Sequence, residues 1–249
     1  MVRAAVPGGL TVDTTPRRTL RWQAAAVLSV HDEAPGVKTF RLGLEEPATH
    51  LPGQYYVLRL TAEDGYTAQR SYSVASAPDG RPEIALTVER LDDGEVSGFL
   101  HDVAVVGDVL EVRGPVGGWF AWDGDSPALL VGGGSGQVPL AAMLRHARAV
   151  GRPDLVRMLV SVRTPDDLFY GEELTGPPVT AVFTRTAPPG ATRPAGRLTL
   201  ADVAPLVRGG ETAFVCGSPA FSAAAADLLA AAGVPDHAIR IEQFGPTGA

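Results

Sequence analysis

Residues 70–76 read Arg-Ser-Tyr-Ser-Val-Ala-Ser and put a cation, an aromatic ring and hydroxyls into one short β-type run. Side chains alternate along a strand, so Arg70 and Tyr72 project to one face and Ser71 and Ser73 to the other. A planar, phosphate-bearing ligand suits such a strip. The guanidinium pairs with phosphate, the ring covers an apolar plane, and the hydroxyl or backbone of Ser73 meets a ring heteroatom. The alternative is an ordinary barrel strand carrying one solvated arginine.

A second stretch has strand, glycine loop and helix in the order a dinucleotide site needs. After Leu129-Leu130-Val131 come Gly132, Gly133, Gly134, Ser135 and Gly136, then Gln137-Val138-Pro139-Leu140. Glycines let the backbone approach a pyrophosphate, and the helix start supplies N–H donors and a favourable dipole. The spacing departs from G-x-G-x-x-G, and Pro139 costs little near a helix start. At the end of the next strand, in Ser161-Val162-Arg163-Thr164, an arginine stands where an acid would select a free ribose hydroxyl. Arg163 there can pair with a 2′-phosphate, and Arg185, with Arg193 or Arg197 in the following loop, can reinforce it. Asp166 and Asp167 oppose that pairing. The balance favours NADPH over NADH.

Composition bounds the rest. The 249 residues are 45% hydrophobic and 20% charged, a globular balance, and the net charge of -7 argues against general nucleic-acid binding. Residues 1–124 carry -6 of that charge and 125–249 only -1, so anionic ligands meet less repulsion in the second half. Arginine outnumbers lysine 20 to 1, a bias that weakens any argument from arginine count alone. The single cysteine, Cys216, excludes an internal disulfide and leaves no ligand spacing for zinc or an iron–sulfur cluster. His31, His50, His101, His146 and His237 are scattered without metal-ligand spacing, so no metal site is expected. The N-terminus has no signal-peptide run and no stretch is apolar enough to span a bilayer, so a soluble, cytoplasmic protein without membrane insertion is expected.

The elements that must position these residues fall into two kinds. Residues 1–21 read as a flexible arm. From 22 to 122, short β runs at 23–30, 37–42, 54–60, 70–74, 84–89 and 109–112, bounded by Gly and Pro turns, predict an antiparallel barrel. One helix interrupts them at 97–105, with Ser97 as its N-cap after Gly94 and Val96, its free N–H groups available to phosphate. From 123 to 249 the pattern turns to strands at 128–131, 155–162, 179–183, 213–215 and 239–243. Helices at 136–150, 200–206 and 219–232 and a helical turn at 166–174 alternate with them. That alternation predicts a doubly wound parallel α/β sheet.

With Arg70-Ser71-Tyr72-Ser73, Gly94-x-x-Ser97, the 132–136 loop, Cys216-Gly217-Ser218-Pro219 and Glu242-Gln243-Phe244-Gly245 in this order, the chain resembles the ferredoxin–NADP reductase superfamily. The likeness runs from about 23 to 248. It implies an FAD-binding β-barrel at 22–122 and an NAD(P)-binding α/β domain at 123–249. By that resemblance Arg70 and residues 94–97 hold the flavin pyrophosphate, with Ser71 beside them. Tyr72 lies against the isoalloxazine ring and Ser73 near N5. Residues 132–136 cradle the nicotinamide nucleotide, Cys216 and Gly217 lie by the nicotinamide, and Glu242 and Phe244 stand beside the flavin. Ser73, Cys216 and Glu242 are the implied catalytic groups. A buried cysteine can equally be plain packing, and Glu242 a strand-end acid. Gln137-Val138 departs from the superfamily's usual loop, which bears on nucleotide affinity.

The implied activity is an FAD-dependent reductase that oxidises NADPH or NADH and passes electrons to a separate ferredoxin-type iron–sulfur partner of an oxygenase. The rivals are an NAD(P)H:flavin reductase using free flavin, and a non-catalytic nucleotide-binding regulatory module.

Overall fold

The computed structural model describes residues 20–46 and 49–245. The expected 1–21 arm lies outside them except for its last two residues. Six strands, β1 (Gln23–Ala34), β2 (Val37–Leu44), β3 (Tyr55–Thr61), β4 (Thr67–Ser73), β5 (Glu83–Glu89) and β6 (Val109–Val116), form one antiparallel sheet in the order β4-β3-β6-β1-β2-β5. A bridge between Val74 and Leu86 and the Ala75 N to Ala85 O hydrogen bond (2.7 Å) draw the two edges together into a barrel. Alternation decides which side chains fill it: Phe40 and Leu42, Tyr56 and Leu58, Ile84, Leu86 and Val88 all point inward and are buried.

Helix α1 (Glu95–Asp102) joins β5 to β6 and starts two residues earlier than the sequence suggests. Gly94, not Ser97, is its N-cap. The Ser97 hydroxyl instead donates to the Gly94 carbonyl and accepts from Leu91 N, both at 3.2 Å, and so staples the preceding turn. The helix ends at Asp102 because a run of β-branched valines leads into Gly107 at φ 100°.

The second sheet is parallel, with β7 (Ala128–Gly133), β8 (Val156–Val162), β9 (Val179–Phe183), β10 (Thr212–Gly217) and β11 (Ile239–Gln243) in the order β11-β10-β7-β8-β9. The order reverses beside β7, which opens a crevice at the carboxyl ends of β7 and β10. Helix α2 (Gln137–Ala149) covers one face; α3 (Leu200–Val203) and α4 (Pro219–Ala231) cover the other. Every residue of β8 is buried, as a central strand covered on both faces requires.

Two of the expected helical segments are broken. Residues 166–174 form two separate 3₁₀ turns, Pro165–Asp167 and Gly171–Leu174, parted where Tyr170 takes φ 66°. Residues 200–206 are α only in the first turn, because Pro205 has no N–H to continue the ladder. The sheets share one apolar cluster, in which Val37, Ala75, Phe120 and Trp122 of the first segment pack with Met143, Tyr170 and Phe214 of the second.

Candidate functional site

A cleft of about 360 Å³ lies where β4 meets the end of β11, lined by Tyr55, Val57, Gln69, Arg70, Ser71, Ser73, Glu242, Gln243, Phe244 and Gly245. The register explains its wall. Tyr55 pairs with Ser73 and Val57 with Ser71, so all four face one side while Tyr56 and Leu58 enter the barrel. Arg70 and Tyr72 sit on the opposite alternation, toward α1. The Arg70 guanidinium bonds the Gln69 carbonyl at 2.7 Å and its charge reaches both Tyr66 and Tyr72. Burial pushes the Tyr72 phenol up to about 12, so the ring presents itself neutral. Tyr66, which feels the Arg70 charge, donates to Glu95 in the first turn of α1 (3.0 Å).

The amides of residues 95–97 precede the first bond of α1, Gly98 N to Gly94 O at 2.6 Å, and have no acceptor within the helix. They are therefore free to meet an anion. A side chain at Gly94 would overlap the Ser97 hydroxyl and Leu91, so this glycine is required by the turn itself.

Ser73 and Glu242 meet in the cleft, and Cys216 lies buried behind them, beside Glu242 on the neighbouring strand. Ser73 is 4% exposed, and among the described residues its hydroxyl has no hydrogen-bond partner. It lies close enough to the Glu242 carboxyl to favour ionisation slightly without completing a bond of ordinary geometry. Burial dominates and raises Glu242 to about 7. Cys216 pairs with Glu242 across the parallel ladder, and burial, with the Glu242 charge added, pushes its thiol well above the usual range. Cys216 is thus a neutral, packed thiol and no nucleophile. Phe244 continues the β10–β11 pairing through its N–H to the Gly217 carbonyl (3.0 Å) and rests half-buried on the shared core.

The glycine loop divides its labour. A side chain at Gly136 would run into the Cys216 carbonyl, so this glycine permits the close approach of α2 to β10. Cβ atoms at Gly133 and Gly217 would each lie 2.6 Å from the Phe221 ring, which caps the ends of β7 and β10. At Gly132 the same addition presses on Leu140. Gly134 alone in the loop is exposed, left-handed at φ 55° and without a neighbour within reach, so a ligand can approach its backbone. Ser135 is half-buried beside it. No acid stands in the first turn of α2 to neutralise its positive end.

Gln137, an unexpected residue in this loop, turns inward. It is fully buried, donates to the Gly134 and Asp167 carbonyls (both 3.1 Å) and accepts from Phe169 N (3.1 Å), tying the glycine loop to the segment after β8. In that segment Arg163 and Arg185 are both exposed, and the Arg185 and Thr186 amides donate to the Arg163 carbonyl at 2.9 and 3.1 Å. Ser161 is 7% exposed and pairs with Gly133 in the ladder, beneath the loop. The Asp167 carboxylate accepts from Thr164 N and Oγ at 2.8 and 2.7 Å, so it is turned back into its own cap. Arg193 cannot take the reinforcing role. Its guanidinium is forked onto Asp202 (2.6 and 2.8 Å) and bonds three carbonyls, which also holds Asp202 down at about 2. Arg197 remains exposed.

Sequence reasoning passed over Tyr55, Gln69 and Gln243 in the cleft wall and Phe221 over the two glycines, and it marked Gln137 as a departure without its buried, loop-tying role. Tyr55 and Gln69 were accessible from strand pairing once the register of β3 and β4 was known, whereas Gln243 enters the wall from β11 through the packing of the two sheets. Phe221 depends on the docking of α4 and carries no local signal.

The matches to known proteins agree with this geometry. Residues 24–120 match the oxidoreductase FAD-binding domain family. The ferredoxin reductase component of 3-ketosteroid-9-alpha-monooxygenase from Mycolicibacterium smegmatis is 32% identical over 94% of this chain and 68% of its own length. The chain belongs to the ferredoxin–NADP reductase-like family of FAD-binding oxidoreductases.

A second relative, the reductase component of propane 2-monooxygenase from Rhodococcus jostii, is 30% identical over 84% of the chain, and the match spans 60% of that protein. Among solved structures, the FAD/NAD-binding domain of a nitric oxide dioxygenase from Vibrio cholerae superposes with a TM-score of 0.78 at 25% identity, over 90% of this chain and 99% of that one. A cytochrome P450 reductase from Amycolatopsis gives 0.75 at 29% identity, over 92% and 71%. The residues present fit the family's FAD. An orphaned buried hydroxyl, a cleft with aromatic walls, an arginine beside free helix amides and one unobstructed glycine are what a flavin dinucleotide and a nicotinamide nucleotide need.

Proposed function

We propose that the protein is a reductase that binds FAD in the 70–73/242–244 cleft, oxidises NADPH in preference to NADH, and delivers electrons to a separate ferredoxin-type iron–sulfur protein of an oxygenase system. The observation that carries the reading is the convergence of Ser73, Glu242 and Phe244 on one cleft from two sheets. Bound FAD supplies the chemistry, accepting a two-electron equivalent and releasing electrons singly.

The chain's own residues bind, orient and exclude. Arg70 and the α1 amides take the flavin pyrophosphate, the Phe244 ring covers the isoalloxazine, and the Ser73 hydroxyl finds there the partner it lacks, while Tyr72 backs the strip from the other face of β4. Glu242, poised near neutrality, holds or releases a proton at the inner end of the cleft. Cys216 and Gly217 shape the nicotinamide pocket, and Gly134 with the start of α2 takes the second pyrophosphate. The domain division at 22–122 and 123–249 follows the same assignment. That the relatives named above are reductase components of monooxygenase systems supports a separate acceptor. No helix of the described residues is long and apolar enough to cross a membrane.

Coenzyme choice rests on Arg163 and Arg185, both exposed and side by side, with Asp167 turned away. Anaerobic mixing of the holoprotein with NADPH or NADH, read on flavin absorbance, tests it. Arg163→Ala should raise KM for NADPH by about tenfold and leave NADH nearly unchanged. An equal effect on both coenzymes would remove the NADPH assignment.

A further inference from the structure

We propose that Arg145 and Tyr170 are positioning residues for flavin reduction, a pair that fixes the nucleotide-binding sheet against the end of the flavin-binding strand. The inference rests on the flavoprotein reading above and adds to it a part of the molecule outside the cleft.

Arg145 lies on α2, eight residues beyond Gln137 at the glycine loop, which is about 12 Å along a rigid helix. Its Nη1 donates to the carbonyl of Ala75 at 2.6 Å. Ala75 follows Ser73 and Val74 directly, and that short segment is pinned on its own side by Val74 N to Gln54 O (2.9 Å) and Ala75 N to Ala85 O (2.7 Å). One helix therefore connects the loop that would hold the nicotinamide nucleotide to the strand end that would hold the flavin.

The guanidinium is itself oriented. Its Nε and Nη2 fork onto the two oxygens of Glu173, both at 2.7 Å, and its plane lies over the Tyr170 ring, 4.2 Å from the centroid. Tyr170, 8% exposed, reaches across to the barrel and donates to Thr87 Oγ1 at 2.8 Å, and Thr87 shares a further bond with Thr39 at 2.7 Å. The tyrosine gets there through a left-handed backbone, φ 66°, the only positive φ at a non-glycine position among the described residues. An aromatic residue rarely adopts that conformation unless its surroundings dictate it.

Apolar contact between the sheets is non-directional and tolerates small slides. These bonds are directional, and they meet the barrel at two points, Ala75 and Thr87, which restrains translation and all rotation except that about the line joining them, left to the apolar packing. The consequence is for approach geometry: a misplacement near 1 Å between reacting centres costs about a hundredfold in rate. Since neither residue lines the cleft, their loss should slow flavin reduction without weakening either ligand.

The test uses full-length protein carrying Arg145→Met, with Arg145→Lys as the conservative variant. Nitroxide labels at Asp64→Cys, exposed in the β3–β4 turn, and Asp227→Cys, exposed on α4 against the second sheet, report the distance between the two halves; Cys216 is buried and takes no label. Arg145→Met should broaden a single narrow distance distribution with or without FAD. In FAD-loaded protein it should slow flavin bleaching by saturating NADPH about tenfold or more, while the dissociation constants for FAD and NADPH stay within about twofold. Arg145→Lys should restore part of both effects. A distribution as narrow as wild type overturns the latch, whatever the rate does. A broadened distribution with an unchanged bleaching rate overturns its role in positioning. Wild-type protein that binds FAD and is not bleached by NADPH overturns the functional reading, and with it any role of the pair in the reaction, while the label distances still report whether the latch exists.

Discussion

The cleft at Ser73 and the latch at Arg145 lie on one interface between the sheets and treat their polar atoms in opposite ways. At the latch, Arg145 engages Glu173, Ala75 and the Tyr170 ring, and Tyr170 engages Thr87. At the cleft, Ser73 is buried without a partner and Glu242 is held near 7 by burial. A buried polar group left unsatisfied costs stability, so a fold retains one where a ligand completes it. A fully satisfied group specifies geometry instead. The difference separates residues that would contact the cofactor from residues that place the sheets.

Substitutions sharpen that contrast. The largest effect on the apoprotein is expected at Glu242. Its folded pKa of about 7 exceeds the ordinary 4.5, so the folded state binds the proton more tightly than the unfolded chain. Stability should therefore fall as pH rises from about 4.5 to about 7 and then level off. Glu242→Gln should remove that slope, leaving stability at pH 5 nearly unchanged and raising it at pH 8 by about 1–3 kcal/mol. Urea unfolding at the two pH values measures it, and an identical pH slope in both proteins would place the burial cost elsewhere.

A matched pair of hydroxyl deletions follows. Tyr170→Phe removes a satisfied bond to Thr87 and should cost about 1 kcal/mol. Ser73→Ala removes an unsatisfied one and should cost the apoprotein within about 0.5 kcal/mol, or stabilise it. Thermal unfolding of both variants without FAD gives the comparison, and equal losses would erase the distinction between the two regions.

The barrel was legible because inward residues such as Ile84, Leu86 and Val88 alternate, and the parallel sheet because its strands and helices do. Arg70, Tyr72, Ser73, Glu242 and Phe244 were legible as chemistry on two strand ends. Arg70, Ser73, Glu242 and Phe244 meet in one cleft because the two sheets pack together, whereas Tyr72 lies on the other face of its strand. Thr87 is 6% exposed on a barrel strand because Tyr170, from the segment after β8, reaches across to it, which no pattern in β5 announces. Arg145 carries no signal in the sequence that sets it apart from the other arginines. Ser97 had the right residue type for a cap but sits inside the first turn, and Arg193 is consumed by Asp202 nine residues on. The glycine loop was legible as strand, loop and helix, whereas the division among its glycines is set by the Phe221 ring and the Cys216 carbonyl, neither of them local. Long-range packing decided the cleft, the Thr87 contact and the glycine loop, and periodicity does not encode it; Ser97 and Arg193 were decided by local bonds that residue type alone does not reveal.

The central claim is that the cleft between the Arg70 strip and the 242–244 end seats FAD. Flavin absorbance of the purified protein, with FAD titrated into wild type and Arg70→Ala, tests it most directly. The account predicts stoichiometric FAD in the wild type and affinity about ten- to a hundredfold weaker in Arg70→Ala, the loss of one charge-assisted phosphate contact of about 1.5–3 kcal/mol. Undiminished FAD affinity in Arg70→Ala, or a wild type that takes up no added FAD, would contradict it.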